Sequence, residues 1–215
     1  MGPVGPAGLS PTTLVLASAS PARRAVLLAA GVEPVVHVSG VDEDAVAAAL
    51  VSPTPVGVVT ALAAAKAHDV AGAHRFDDAV VVGCDSMLHL GDELLGKPHT
   101  AAVARARWRA MRGRSGELLT GHCVLRVRAG EVVAAATGTG ATTVRFASPT
   151  DAEVDAYVAT GEPLLVAGAF TLDGLGGWFV EGIDGDPSSV VGIGLPLVRR
   201  LLVEVGVSVV DLWRT

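Results

Sequence analysis

The run Ala79-Val-Val-Val-Gly-Cys84 holds six uncharged residues and stops at an acid, Asp85. A continuous apolar run of strand length, rich in Val, reads as a strand covered on both faces, as in the interior of an α/β sheet. Such a strand needs neighbours on each side and helices above and below, so the run excludes most other architectures. The strand is expected to end at Asp85, and ligands of open α/β sheets bind where strands end. Asp85 is therefore the first candidate for chemistry, set against an aspartate satisfied by nearby turn amides.

The flanking chain supplies those neighbours. Leu14 to Ala17 reads as a strand and Ser18-Ala19-Ser20-Pro21 as a turn into a helix, with Ser20 at the N-cap, Pro21 first in the helix and a stop at Gly31. Pro34 to Val38 is the next expected strand, which makes a βαβ-like opening. A helix over 56–72 carries Lys66. Met87–Leu90 and Glu93–Leu95 flank a Gly91-Asp92 hairpin turn. A helix over 100–111, two long strands over 118–128 and 132–146, a helix over 151–160 capped by Thr150, a Gly-rich stretch over 168–177, a strand over 178–183 and a last helix over 196–205 follow. The fold class expected is α/β, a mixed central sheet flanked by helices. Residues 1–12, rich in Gly and Pro, read as a disordered extension before a single domain over 13–215.

Composition narrows the function classes. The formal net charge is −6 and no basic face is readable, which argues against a nucleic-acid coat. Every apolar run is interrupted before membrane-spanning length. Cys84 and Cys123 lack metal-ligand spacing, and the N-terminus lacks a signal-peptide pattern, so a soluble protein of the reducing cytoplasm is expected. The six histidines show no zinc pattern and read as structural or solvent residues.

Lys66 and Lys97 are the only lysines among 16 basic residues. Where Arg serves for ordinary surface charge, a retained ammonium marks a place that needs a compact point charge. The turn over 18–23 adds hydroxyls, a helix N-terminus and Arg23, a combination suited to an anion. Asp42-Glu43-Asp44 could supply oxygen ligands to Mg²⁺ or Mn²⁺, or simply be a solvated helix start. Gly91 to Lys97 has near P-loop spacing, but Pro98 replaces the required hydroxyl and Gly91-Asp92 reads as a hairpin, so that reading is set aside.

Leu16-Ala-Ser-Ala-Ser-Pro-Ala-Arg-Arg24, Val41-Asp-Glu43, Ala63-Ala-Ala-Lys66, Val82-Gly-Cys-Asp85-Ser, Leu95-Gly-Lys-Pro98, Thr120-Gly121, Tyr157-Val-Ala-Thr-Gly-Glu-Pro163, Ala167-Gly-Ala-Phe170, Gly185-Asp186 and Gly194-Leu-Pro196 occur in that order. Together they resemble the motifs of the Maf family, nucleoside triphosphate pyrophosphatases of the two-lobed inosine-triphosphatase-like fold that are associated with septum formation. The resemblance implies metal-dependent hydrolysis of a nucleoside triphosphate to monophosphate and pyrophosphate with Mg²⁺ or Mn²⁺. It also implies clearance of non-standard nucleotides, a link to cell-division arrest and a homodimer. Carried over by position, Asp85 matches the catalytic acid and Glu43 a metal-side carboxylate, with Asp85 and Glu43 as metal ligands. Lys97 joins them in the catalytic group, while Ser18, Ser20, Arg23, Lys66, Ser86 and Asp173 match substrate-binding positions. A non-catalytic nucleotide-binding regulator of septum formation is the alternative.

Three positions depart from the family's better-known branches. The dTTP and UTP enzymes have Arg-Arg after Ser-Pro, Asp-Thr at the catalytic acid and Gln in the segment after Ala-Gly, where this chain has Ala22, Ser86 and Asp173. The 7-methyl-GTP branch has a Glu where Asp173 stands. The preferred base stays open on these residues.

Overall fold

The structure, a computed structural model, describes residues 12–214. The extension expected over 1–12 lies, except for Thr12, outside the described residues. Strand β1 (Thr13–Ala17), helix α1 (Pro21–Ala29) and strand β2 (Val35–Val36) form the expected βαβ opening. The Ser20 side chain caps α1 by accepting from the Arg23 amide, and Pro21 takes the first helical position. Strand β2 is shorter than expected, because it pairs only through Val35 and Val36 at the sheet edge, where both are exposed.

The strand expected to stop at Asp85 does not stop there. Strand β3 runs from Asp78 to Leu90, and Asp85 lies inside it. The parallel partner β1 ends at Ala17, opposite Gly83, but β5 (Ser115–Arg128) pairs antiparallel with β3 from Asp78 to His89 and carries it past the acid. A charge can sit inside the strand because Lys66 neutralises it. Strand β4 (Glu93–Leu95) folds back on β3 after the Gly91 turn, where φ is 63°.

Strands β6 (Glu131–Phe146) and β7 (Val180–Asp184) complete a seven-stranded sheet of order β2-β1-β3-β5-β6-β7, with β4 paired to β3. Parallel pairing is confined to β2-β1-β3. Strand β7 starts two residues later than expected, since Trp178 belongs to a 3₁₀ turn over Leu175–Phe179.

Helices α2 (Glu43–Ala48), α3 (Pro55–Ala73), α4 (Ala101–Met111), α5 (Asp151–Ala159), α6 (Pro187–Val191) and α7 (Leu195–Glu204) flank the sheet. Helix α3 lays Ala63, Ala67, Val70 and Ala71 on one face, against Val15, Val81 and Leu125. Helices α1 and α7 cover the other face, with Leu27 and Leu201 against Leu16, Val82 and Cys84. A third cluster gathers Trp108, Phe146, Tyr157 and Phe170 around the far halves of β3, β5 and β6. There the Trp108 indole N–H donates to the Ala169 carbonyl at 2.8 Å. Truncating so buried an aromatic costs about 3–5 kcal/mol.

Two glycines decide how close α3 comes to the sheet. A Cβ on Gly83 would stand 2.2 Å from the Ala63 carbonyl oxygen, and one on Gly121 would stand 2.2 Å from the Val59 carbonyl oxygen. A glycine in the middle of a Val-rich strand is otherwise unfavourable, and this close backbone approach is what requires it. The same contact fixes the height of Lys66, on the next turn of α3, above Asp85 on β3.

Candidate functional site

Residues Cys84 to Met87 occupy a gap in the sheet. On the β1 side of β3, pairing with β1 ends at Gly83 and pairing with β4 begins at Leu88. Arg23, from the first turn of α1, fills this gap. Its guanidinium donates to the Cys84 carbonyl at 2.9 Å, the Ser18 hydroxyl at 3.0 Å, the Ser86 hydroxyl at 3.1 Å and the Gly192 carbonyl at 2.8 Å. An Arg has five donors, so one N–H remains. Arg23 thus ties β1, β3 and the α6–α7 turn together. The Ser18 oxygen also accepts from the Ser20 amide, which leaves its own proton free to donate outward.

Successive β3 side chains point to opposite faces, so Ser86 faces α1 while Asp85 faces α3. On the α3 side, the Lys66 ammonium lies 2.6 Å from Asp85 Oδ1 and 2.8 Å from Glu43 Oε1. The Lys66 and Asp85 side chains are 10% and 8% exposed, against 46% for Glu43, so the group opens to solvent at Glu43. Asp85 Oδ2 is buried with no hydrogen-bond partner among the described residues. A buried carboxylate oxygen left unpaired is costly, and its presence here marks a place for a proton, a water or a cation.

Burial raises the Asp85 pKa above the ordinary aspartate range, more than the charge and hydrogen bond of Lys66 lower it. Glu43 is shifted the other way. Its partial burial is outweighed by the Lys66 hydrogen bond and charge, with smaller contributions from Lys97 and Arg23, so it titrates below an ordinary glutamate. Two carboxyls driven apart in this manner divide into one that can take a proton and one that stays ionised.

The acidic triplet separates on folding. Asp42 caps α2 through the Ala45 amide, Glu43 turns to Lys66, and Asp44 makes no ion pair among the described residues. Among the described residues no group of three or more His, Cys, Asp or Glu could hold a metal. The donors at the site are the two carboxylates, Glu43 and Asp85. With phosphate oxygens and water to complete the shell they match a hard cation that keeps an incomplete protein cage. Nor does any helix among the described residues have the length and apolarity to cross a membrane.

Residues 13–205 match the family model described as Maf-like protein. The chain belongs to the Maf family. It is 69% identical to a protein of Nocardia farcinica (strain IFM 10152) named nucleoside triphosphate pyrophosphatase, over 94% of this chain and 97% of the relative. Proteins of the same name from Saccharopolyspora erythraea and Mycobacterium marinum are 68% and 54% identical, over 93% and 94% of this chain and 96% and 97% of theirs.

Within this Maf-family chain, Ser18, Ser20, Arg23 and Ser86 come together by direct hydrogen bonds, and Glu43, Lys66 and Asp85 by ion pairs. Lys97 is exposed and makes no ion pair among the described residues; its charge only helps hold the Glu43 pKa down. Its loop is held by the Gly168 amide, which donates to the Gly96 carbonyl at 3.2 Å, and by the His99 amide, which donates to the Leu164 carbonyl at 2.9 Å. Three-residue β4, paired antiparallel, precedes the loop, which agrees with setting the P-loop aside. Asp173 is exposed on the Gly-rich segment and has no hydrogen bond to either group.

Sequence reasoning quoted Thr120 within a motif but gave it no role, and it did not distinguish His122 from the other histidines. The Thr120 hydroxyl bridges the Ser86 hydroxyl, at 3.1 Å, to the Ser189 carbonyl, at 2.9 Å. His122 takes the structural role among those expected of the histidines: it is buried and accepts from the Gly194 amide at 2.9 Å through Nε2. Burial holds it neutral, with a pKa lowered to about 4. A Thr and a His within the strand 118–128 were the available signal, since neither fits a fully apolar run. The two cysteines are buried fillers as expected, one on each face of the sheet, and burial pushes both thiols up to about 11.

Proposed function

We infer that the chain hydrolyses a nucleoside triphosphate between its α and β phosphates, releasing the monophosphate and pyrophosphate. The observation that carries the reading is the Glu43–Lys66–Asp85 group, half-open to solvent, beside a gap in the sheet rimmed by Ser18, Arg23 and Ser86. Water attacks the α-phosphorus, the bond to the bridging oxygen breaks, pyrophosphate departs, and the proton of the water passes to a carboxylate. Asp85 Oδ2, unpartnered and on a carboxyl of raised pKa, is the acceptor. Ser18, Ser20 and the free N–H of Arg23 bind phosphate oxygens, Ser86 orients Arg23 from the floor of the gap, and Lys66 and Lys97 neutralise the charge that develops on them. Such hydrolysis depends on positioning and charge stabilisation more than on covalent chemistry.

Glu43 and Asp85 would hold Mg²⁺ or Mn²⁺. Such a cation supplies further charge neutralisation on the phosphates and acidifies a bound water. The pair of buried, unlinked thiols accords with work in a reducing cytoplasm, and residues 13–215 act as one catalytic unit. Asp173 acts in base selection, either accepting hydrogen bonds from a guanine-type edge or repelling an unprotonated acceptor.

The test is incubation of the purified protein, and of Asp85→Asn, with Mg²⁺ or Mn²⁺ and a panel of standard and modified nucleoside triphosphates. Pyrophosphate and monophosphate from the wild type, lost in Asp85→Asn, are expected. Orthophosphate release would refute the bond assignment. Silence across the panel would move the reading to the nucleotide-binding regulator of septum formation. Light scattering on the same sample reads the homodimer.

A further inference from the structure

We propose that the Lys66 ammonium is a resident stand-in for the divalent cation, seated between Glu43 and Asp85 until a nucleotide draws it away, so that metal and nucleotide enter only together. The proposal rests on the metal-assisted reading above and adds a rule for loading the site.

Three observations carry it. Lys66 Nζ lies 2.8 Å from Glu43 Oε1 and 2.6 Å from Asp85 Oδ1, so one positive charge already bridges the two carboxylates. A metal ligated by both oxygens at about 2.1 Å would occupy the same space and repel the like charge beside it. Next, the ammonium fills the seat only in part, since Asp85 Oδ2, on a side chain 8% exposed, has no partner among the described residues. An ammonium offers three donors, yet the third does not reach this oxygen, so the seat is matched to the ammonium only in part. Finally, the local charge opposes a second cation as long as no nucleotide is bound. Lys97 and Arg23 both act on Glu43, so two carboxylates already face three positive charges. A triphosphate reverses that balance and gives Lys66 a new partner. A lysine suits the exchange because its charge is compact and its stem flexible, whereas an arginine fork would stay paired. Coupling of this kind is reciprocal: nucleotide tightens metal by the factor by which metal tightens nucleotide.

The test measures binding of Mn²⁺ alone by electron paramagnetic resonance. It then repeats the titration with a nucleoside triphosphate whose α,β bridge is a methylene and cannot be hydrolysed. In the wild type the analogue should tighten Mn²⁺ at least about tenfold, the lower end of what a unit charge at about 4 Å produces in a partly screened site. Lys66→Met should bind Mn²⁺ alone at least about tenfold more tightly than the wild type, with the effect of the analogue much reduced, and Mn²⁺ should raise its Tm more than that of the wild type. Lys66→Gln is the second variant should the Met form not fold. In the unaltered protein only two lysine Nζ signals exist, so Lys66 is readily followed by NMR. Its signal should stay put with Mg²⁺ alone and move with Mg²⁺ plus analogue. Lys66→Met binding no more tightly than wild type, while the wild type binds Mn²⁺ with the analogue, would overturn the stand-in and leave the metal reading intact. Wild-type protein that binds no Mn²⁺ even with the analogue would sink both.

Discussion

Gly83→Ala puts a methyl group where the Ala63 carbonyl oxygen now lies, at 2.2 Å, with the Ala67 amide nitrogen at 2.9 Å and the Ala67 Cβ at 3.0 Å. All three are rigid parts of α3, so no flexible side chain can yield. Ordinary contact begins at 3.4 Å, and the helix must therefore retreat from β3 by about 1.2 Å. Overpacking of this sort costs about 1–3 kcal/mol. The larger effect falls on the site. Lys66 rides on α3 one turn beyond Ala63 while Asp85 is fixed on β3, so the 2.6 Å ion pair opens by a comparable distance. A misplacement of about 1 Å at reacting groups lowers rate by about a hundredfold. Urea denaturation and kcat/KM on the best nucleotide should show a folded protein, less stable by the stated margin and about a hundredfold slower. The control is Gly72→Ala near the end of the same helix, where an added Cβ meets nothing within 4 Å. It should gain about 0.5–1 kcal/mol and keep full activity. Wild-type stability and rate in Gly83→Ala would refute the claim that this contact sets the site.

Asp85→Asn should lower kcat by about a hundredfold or more, since it removes the proton acceptor. The acid limb of the pH–rate profile should lie above the ordinary aspartate range because the Asp85 pKa is raised. In Lys66→Met the limb should move to higher pH, since the charge that holds the pKa down is gone; an unmoved limb would assign it to another group. His122 is neutral when folded, with its pKa lowered from 6.5 to about 4, so the unfolded chain binds a proton that the folded chain refuses. Its stabilisation is present above about pH 6.5 and is lost as pH falls towards 4, by up to about 3 kcal/mol. Asp85 acts in the opposite sense, favouring the folded form at low pH and losing that as pH rises through its folded pKa. Urea midpoints between pH 7.5 and 4.5 should therefore fall more steeply for wild type than for His122→Gln, and equal slopes would contradict the assignment. Asp173→Gln should reorder the ranking of nucleotides in the hydrolysis panel; an unchanged ranking would remove Asp173 from base selection.

Much of the site was legible residue by residue. The scarcity of lysine pointed to Lys66 and Lys97, the Ser-x-Ser-Pro turn to a capped helix start, and the interrupted Val run to Asp85. Spacing alone left Glu43 grouped with Asp42 and Asp44, since nothing in three consecutive acids says which turns inward, and only the resemblance singled it out. That choice belongs to α2, whose N-cap takes Asp42 and aims Glu43 at Lys66. Arg23 was assigned to phosphate alone, whereas four of its donors hold protein atoms on β1, β3 and the α6–α7 turn. The end of β3 was misread because a charge after an apolar run looks like a boundary. A partner strand and a counter-ion from a helix 19 residues away keep it in the sheet.

By itself the sequence determined what local chemistry and periodicity encode: the βαβ opening with its Ser20 cap, the long β5 and β6 strands, the Thr150 capping box, the apolar faces and the inventory of ammonium, guanidinium and carboxylate groups. Only the tertiary structure decided that β1 stops two residues short of Asp85 and leaves a gap for Arg23. It alone brought Gly83 and Gly121 under the α3 backbone and left one oxygen of Asp85 unpaired beside Lys66. These features depend on distances between segments far apart in the chain. Such distances follow from how helices and sheet close-pack, where a single Cβ shifts an element by about an ångström.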